Sequence, residues 1–567
     1  MSGIVILLIS IVALVLGYIF YGGWLAKKWG IDPSRKTPAH ELEDGVDYVP
    51  AKAPVLLGHH FASIAGAGPI NGPIQAAVFG WVPVLLWVLL GGIFIGAVQD
   101  FSALFVSIRN KGKSIGEVMG NVLNQRCKYM FSIFTWLVML LVDAAFADIV
   151  AKTFFSVGAS NPAANGSVAT ASILFIPLAI AFGFFVYRKH APLVVSTIAG
   201  VVVLFVAIAL GLKFPIQGSF STVAFWRAIV FIYCAIASVT PVWILLQPRD
   251  YLNSFLLYLM IGAAAIGIIF SNPAVNLTPF AGFKVGNSFL FPTLFITVAC
   301  GAVSGFHSLI SSGTTAKQLD NEKSAKMVGF GAMLIECLLA VISLICVASV
   351  SANGVTSVAT GEKLGTPSIV FASAIEGFFL KMGFSESAGK VAFTVISLAV
   401  SAFCLTSLDT CCRLGRFTFQ ELFAAKEGEE DAHPVRKALS NTYVATLVNI
   451  GLAAILCVGG YATLWKLFGA CNQLVSVPAL MAAAVYLKSV GKKHNMFYIP
   501  MFFMAAASMS QLVISFVTYA KALISGTGAW NVEGLLCVFI VPIFCLAFSL
   551  LVEGCKVLFG KKTQAAA

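Results

Sequence analysis

His59, His60, Asp100, Asp143, His307 and Glu336 sit inside stretches of sequence that are otherwise almost wholly apolar. An ionised group at membrane depth costs at least ~2.5 kcal/mol on the most lenient insertion scale, so each needs a partner or a purpose. Asp148 has a partner in reach, because Lys152 follows it at the i,i+4 spacing that lets helical side chains pair. Asp143 has no local partner, and Glu336 sits between Leu334 and Cys337. Groups of this kind are candidates to take up and release a proton, and His60, Asp100, Asp143, His307 and Glu336 form that set. Asp100, Asp250 and Asp409 also read as cap and gate groups near helix ends, Asp250 next to Arg249, because an Asp at a helix N-terminus accepts from free backbone N–H groups. His59 and His60 are adjacent, so one helix cannot aim both at one ion. A zinc ion shared between one of them and His307 is conceivable, but a proton-responsive imidazole is the favoured reading. Neither a metal nor a cofactor is expected.

The elements that must carry these groups follow from composition. The 567 residues are 59% hydrophobic and 11% charged, with a mean hydropathy of +0.93, against about 25% charged in soluble domains. Apolar stretches near 20 residues recur from Ile4 to Leu551, the length a ~30 Å hydrocarbon core demands. Roughly fifteen spans are expected, among them 55–80, 82–108, 129–156, 225–247, 289–312, 327–351 and 388–410, and no membrane-barrel alternation. The first stretch lacks a basic flank and a cleavage site, so it reads as a retained span. Segment 366–382 is too short and polar to span, and an external interfacial or re-entrant helix is expected there. Segment 424–437 reads as a solvated loop. When the loops are assigned alternately to two sides, 27 of the 36 Lys and Arg fall on one side. By the positive-inside rule that side is cytoplasmic, which puts the N-terminus outside and the C-terminus inside. The same distribution explains the net charge of +12 without a nucleic-acid partner. The 13 Cys include no CxxC pair and lie mostly in apolar stretches, as small buried hydrophobes do.

Two spans are unlike ordinary membrane helices. GHHFASIAGAGPINGPIQAAVFG (58–80) cannot be one unbroken helix, because Gly66, Gly68, Pro69, Gly72 and Pro73 crowd into it. VACGAVSGFHSLISSGTTAKQL (298–319) carries Gly301, Gly305, Ser304, His307, Ser311, Ser312 and Thr314. Broken helices offer half-helix N-termini to an anion and unwound carbonyls to a cation, which points to the central site of a secondary transporter. Close packing through small residues is the alternative. Which span pairs with the second stays open, since the seventh has its own breaker, SVTPVW (238–243). No metalloprotease, nucleotide-loop or nucleophile-elbow motif occurs, so an enzyme is not expected.

The stretch 58–80, GAVQDF (96–101), LLQPRDYLNS (245–254), CGAVSGFHSLISSGTTAKQL (300–319), LTSLDTCCRLGRF (405–417) and LWKLFGACNQL (464–474) resemble the carbon starvation protein family, CstA, in the family's order. The resemblance implies an all-α bacterial inner-membrane transporter related to the amino acid–polyamine–cation superfamily, with a LeuT-like inverted repeat of five plus five helices, broken helices and peripheral spans. It implies uptake of peptides during carbon starvation, or proton-coupled import of pyruvate, with H⁺, the small-molecule substrate and membrane lipid as partners. It points to 58–73, Gln99-Asp100, 247–253, 300–315, 406–410 and 471–473 as functional stretches. The expected substrate-binding residues are His59, His60, Gly66, Ala67, Gly68, Asn71, Gln99, Ser304, Gly305, His307 and Ser311, with Arg249, Asp250 and Asp409 as the gate. A substrate carboxylate would lie against the N–H groups near Gly66–Gly68 and Ser304–Gly305. A single membrane domain is expected, with a core of about 50–475, an N-terminal span and loop (1–54) and peripheral C-terminal helices (476–567). Family members are often longer, so the chain reads as a compact version. The rival class is a transporter-like nutrient sensor.

Overall fold

A computed structural model describes residues 2–45, 48–157, 162–189, 191–241, 244–423 and 434–560. Residues 424–433 of the solvated loop, 242–243 of the seventh-span breaker and 561–567 lie outside the described residues. The described chain is helical apart from a two-stranded ribbon, Lys284–Val285 paired with Ser288–Phe289, and isolated bridges. Helices follow from the solvent: in hydrocarbon every backbone N–H and C=O must be satisfied within the segment.

Thirteen described helices are long and apolar enough to cross a membrane. Two further expected spans differ: Val223–Val239 is a shorter apolar helix, and the second is split into Ala53–Ile64 and Gly68–Ala76. The window of Leu467–Ser489 is 94% buried, whereas those of Gly3–Trp29 and Trp530–Phe559 are 28% buried. The first therefore lies at the centre and the other two at the edge. Large apolar side chains such as Phe20, Val194 and Ile524 stand exposed on the outside, as on a surface that meets lipid rather than water. Segment 366–382 forms the helix Pro367–Lys381, packed on Ala332–Val350 and Glu386–Phe423.

The two unusual spans both break. The first stops at Ile64, passes through Ala65–Ala67 and resumes at Gly68. Gly72 and Pro73 do not break it further. Gly72 is needed for close approach, since a side chain there would run into the carbonyl of Val298, and Pro73 stays inside the resumed helix. The second runs as Leu290–Val298, a tight turn Ala299–Gly301, and then Gly305–Gly313. The Cα of Pro69 lies 3.4 Å from where a Gly301 Cβ would stand, so the ninth span is the one against the second.

The packing is reciprocal. Ala97–Arg109, which follows the first broken helix, packs on Gly305–Gly313 of the second; Ala332–Val350, which follows the second, packs on Gly68–Ala76 of the first. The long helices Gln125–Phe154 and Glu386–Phe423 come next in each half and pack on each other. Val223–Val239 and Thr442–Leu456 each touch both long helices. Broken, straight and long helices thus recur in the same order in two halves, as in an inverted repeat.

Candidate functional site

The break in each helix leaves N–H groups at the start of the following half, where the helix dipole is positive. At the second break Asn472, from the helix Tyr461–Ser489, fills part of this position. Its Oδ1 accepts from Phe306 N at 2.9 Å, and its Nδ2 donates to Ser304 Oγ at 3.0 Å. Gly305 is required beneath it, because a Cβ there would collide with the Asn472 carbonyl. Gln99 Nε2 donates to the Ser304 carbonyl at 2.7 Å, so the freed backbone of this break is held from two helices. Resemblance included Asn472 in a functional stretch, but its contact with the break spans 166 residues and no local signal reveals it.

His307 lies in the first turn beyond that break. Its Nδ1 is 2.9 Å from Asp100 Oδ2 and its Nε2 is 3.4 Å from Glu336 Oε2, with all three side chains fully buried. The carboxylates come from Ala97–Arg109 and Ala332–Val350, the two helices that exchange partners between the halves. Asp100 is therefore not a cap: Ala97–Arg109 continues directly from Trp87–Gly96, so no free helix start lies near it. Arg109, at the end of the same helix, pairs with Glu322 at 2.6 Å.

The remaining candidates separate. Gly66 faces Ser407 Oγ and Phe146, Gly68 faces Cys300, and Ala67 is buried at the start of the resumed helix. His60 Nδ1 lies 2.8 Å from Thr315 Oγ1, while His59 lines a wider cavity nearby. Ser311 is buried, and among the described residues its hydroxyl has no hydrogen-bond partner. Asn71 points to Ser368 at 3.4 Å and ties the resumed helix to Pro367–Lys381 rather than joining the break. Asp143 accepts from Asn449 Nδ2 at 3.0 Å, and Trp136 donates to Asn449 Oδ1 at 3.1 Å; this places Asp143 among a different set of helices.

Arg249 forms a buried ion pair with Asp409 and donates to Tyr233, whose hydroxyl donates to Asp409 at 2.7 Å. Asp250 stands 3.6 Å from Arg249, with Thr406 also in reach of its carboxylate. It does not cap its helix, which starts at Leu246, four residues earlier. Asp409 lies in mid-helix, since Glu386–Phe423 runs well past it. Asp148 pairs with Lys152 at 2.8 Å as its spacing implies, and also with Arg227.

Two cavities frame the site. A space of about 10 Å³ lies between the breaks, lined by Gly66, Phe146, Cys300, Phe306, Ser407 and Asn472 among others. That is room for one water. A cavity of about 410 Å³ begins at His59, Ser63 and Asp250 and reaches Lys113, Glu117, Lys317, Arg413 and Glu421 on the face of the basic loops.

The profile of the family described as carbon starvation protein CstA matches residues 2–366 and 351–511. A relative from Campylobacter jejuni, named peptide transporter CstA, is 33% identical and covers 87% of this chain and 77% of its own length. A Bacillus subtilis protein of the same name is 31% identical over 87% of each chain. An Escherichia coli relative named pyruvate/proton symporter BtsT is 31% identical over 86% of this chain and 77% of its own. Broken paired helices, a buried carboxylate–imidazole–carboxylate row and matches along nearly the whole chain agree: this protein belongs to the carbon starvation protein CstA family.

Proposed function

We propose that this chain is a secondary-active, proton-coupled importer of the bacterial inner membrane that takes up peptides. The observation that carries this reading is His307, held between Asp100 and Glu336 out of contact with solvent and one turn from a helix N-terminus. Such a row holds a proton in hydrocarbon only if its charge is balanced by a carboxylate, and its occupancy then depends on which side of the membrane it meets. The half-helix N-termini at Gly68 and Ser304–Gly305 offer N–H groups to a substrate carboxylate. Gln99 stands next to the second break, His60 and Ser311 lie further along the half-helices as candidate contacts, and Asp143 serves as a separate proton site. The basic loops around the larger cavity support a cytoplasmic side for it by the positive-inside rule. The conformation described here is then inward-facing, and the Arg249–Asp409 pair with Asp250 is its gate. The core of about 50–475 extends to the end of the helix that crosses this limit, Ser489. A transporter rather than an enzyme follows from this assignment of roles.

A second reading, symport of pyruvate or another small monocarboxylate with H⁺, draws on the 31% identical Escherichia coli relative named pyruvate/proton symporter BtsT. Purified protein in proteoliposomes decides between them. Under an imposed inward proton gradient, a labelled dipeptide should accumulate and a protonophore should release it. Accumulation of pyruvate alone selects the second reading. Uptake that follows Na⁺ and ignores the proton gradient contradicts both.

A further inference from the structure

Cys300, His307 and Glu336 each offer one metal-ligating atom, and among the described residues these three atoms lie within 4.8 Å of one another. They come from the tight turn of the second break, from the half-helix after it, and from Ala332–Val350. An intact helix would hold residues 300 and 307 about 10.5 Å apart along one face; across the break their donor atoms come within 4.8 Å. Among the described residues, His307 Nε2 and both Glu336 oxygens are buried with no well-aligned hydrogen bond, the 3.4 Å contact between Nε2 and Oε2 apart, a state that costs free energy unless something else satisfies them. The other edge of the imidazole is occupied. With Asp100 accepting from Nδ1–H, Nε2 is the nitrogen left to ligate a metal once the imidazole is neutral. This carboxylate–histidine pairing is the one that fixes a ligand histidine's tautomer and orientation.

We propose that Cys300, His307 and Glu336 form a binding site for a divalent transition-metal ion of the zinc class, with Asp100 as the residue that positions His307. One thiolate, one imidazole and one carboxylate suit zinc or cobalt, whereas magnesium and calcium take oxygen ligands throughout. Metal–ligand bonds of about 2.0–2.3 Å put neighbouring donor atoms roughly 3.5 Å apart in a tetrahedral site, and the 3.4 Å between His307 Nε2 and Glu336 Oε2 already matches. Cys300 Sγ donates to Ser304 Oγ and accepts from Asn472 Nδ2, each at 3.4 Å, contacts that metal ligation would replace. Three protein ligands leave a fourth position, and Cys300 also lines the one-water cavity between the breaks. On binding, the Cys300 thiol gives its proton to solvent and its sulfur lone pair to the metal.

The consequence for transport rests on the proposed proton-coupled reading. His307 and Glu336 cannot hold the ion and relay a proton together, so zinc arrests uptake. The binding itself does not depend on that reading.

Cobalt titrated into the full-length protein in detergent, with no substrate present, tests the site. A saturable thiolate-to-cobalt charge-transfer band with the intense visible bands of tetrahedral cobalt is expected, and zinc should displace both. Cys300→Ser should remove the charge-transfer band, and Asp100→Asn should weaken binding about 10- to 100-fold. Where Cys300→Ser does not fold, Glu336→Gln keeps the thiol and should weaken cobalt binding at least about 10-fold; unchanged affinity overturns the site. No saturable spectrum overturns it too, as does a band that survives Cys300→Ser but vanishes in Cys545→Ser, which removes an exposed thiol. Cobalt binding without proton-driven uptake retains the site and rejects the transport reading. Uptake that zinc leaves untouched despite bound cobalt rejects the arrest.

Discussion

Asp100 and His307 are 207 residues apart in sequence, yet Asp100 Oδ2 lies 2.9 Å from His307 Nδ1 with both side chains fully buried. The contact joins the straight helix of one half of the fold to the broken helix of the other. Any movement of one half against the other must change it or carry it along. Coupling between a proton and a conformational change needs a linkage of this kind.

Asp100→Asn keeps an acceptor near His307 but removes the charge. A hydrogen bond to a charged group contributes about 1.5–3 kcal/mol, so proton-driven uptake should fall about 10- to 100-fold. Solute exchange without a gradient should fall much less. Radiolabel counterflow measured beside gradient-driven uptake checks this, and equal losses in both assays would assign Asp100 a structural role.

Asp409→Asn should destabilise the protein, because it leaves Arg249 buried beside only Asp250 at 3.6 Å. Breaking a buried pair costs about 3–5 kcal/mol, with the lower end expected here because Asp250 remains. The double change Arg249→Met with Asp409→Leu should recover most of that loss and still fail to transport. Thermal unfolding in detergent and uptake assays of the three proteins check both halves of the prediction.

Gly305→Ala should abolish uptake, since its Cβ would collide with the Asn472 carbonyl that closes on the break. Gly262→Ala is the contrast: nothing lies within 4 Å of its Cβ. It sits within the helix Leu246–Ser271, where Ala is preferred over Gly by about 1 kcal/mol. Gly262→Ala should therefore transport normally and unfold at a slightly higher temperature.

Thr418→Cys places a thiol in the wall of the larger cavity. A membrane-impermeant maleimide should label it in inside-out vesicles and not in right-side-out vesicles, above the background of the parent protein. The reverse pattern would invert the orientation drawn from the basic loops.

Both breaks were legible as clusters of Gly, Pro and Ser, because backbone freedom and lost N–H donors are written locally. The Asp148–Lys152 pair was legible for the same reason, four residues being one helical turn. Arg227, which shares that carboxylate, lies 79 residues away and leaves no mark near Asp148. Asn472 and Asn449 are similar: each is an ordinary amide in an apolar helix until the fold brings it to Ser304 or Asp143. Cys300 reads as one more small buried side chain, and only the turn between the half-helices distinguishes it. Asp100 and Asp250 were misplaced as caps because helix starts are hard to locate inside continuous apolar sequence.

Proton movement stimulated by solute tests the central claim most directly. Proteoliposomes without any imposed gradient, in weakly buffered medium with an external pH dye, are given a dipeptide or pyruvate. The account predicts alkalinisation of the medium as solute and H⁺ enter together, enlarged by valinomycin with K⁺ when the solute is a net-neutral dipeptide, and absent in His307→Gln. Solute entry with no pH change, or a pH change that His307→Gln leaves intact, would contradict it.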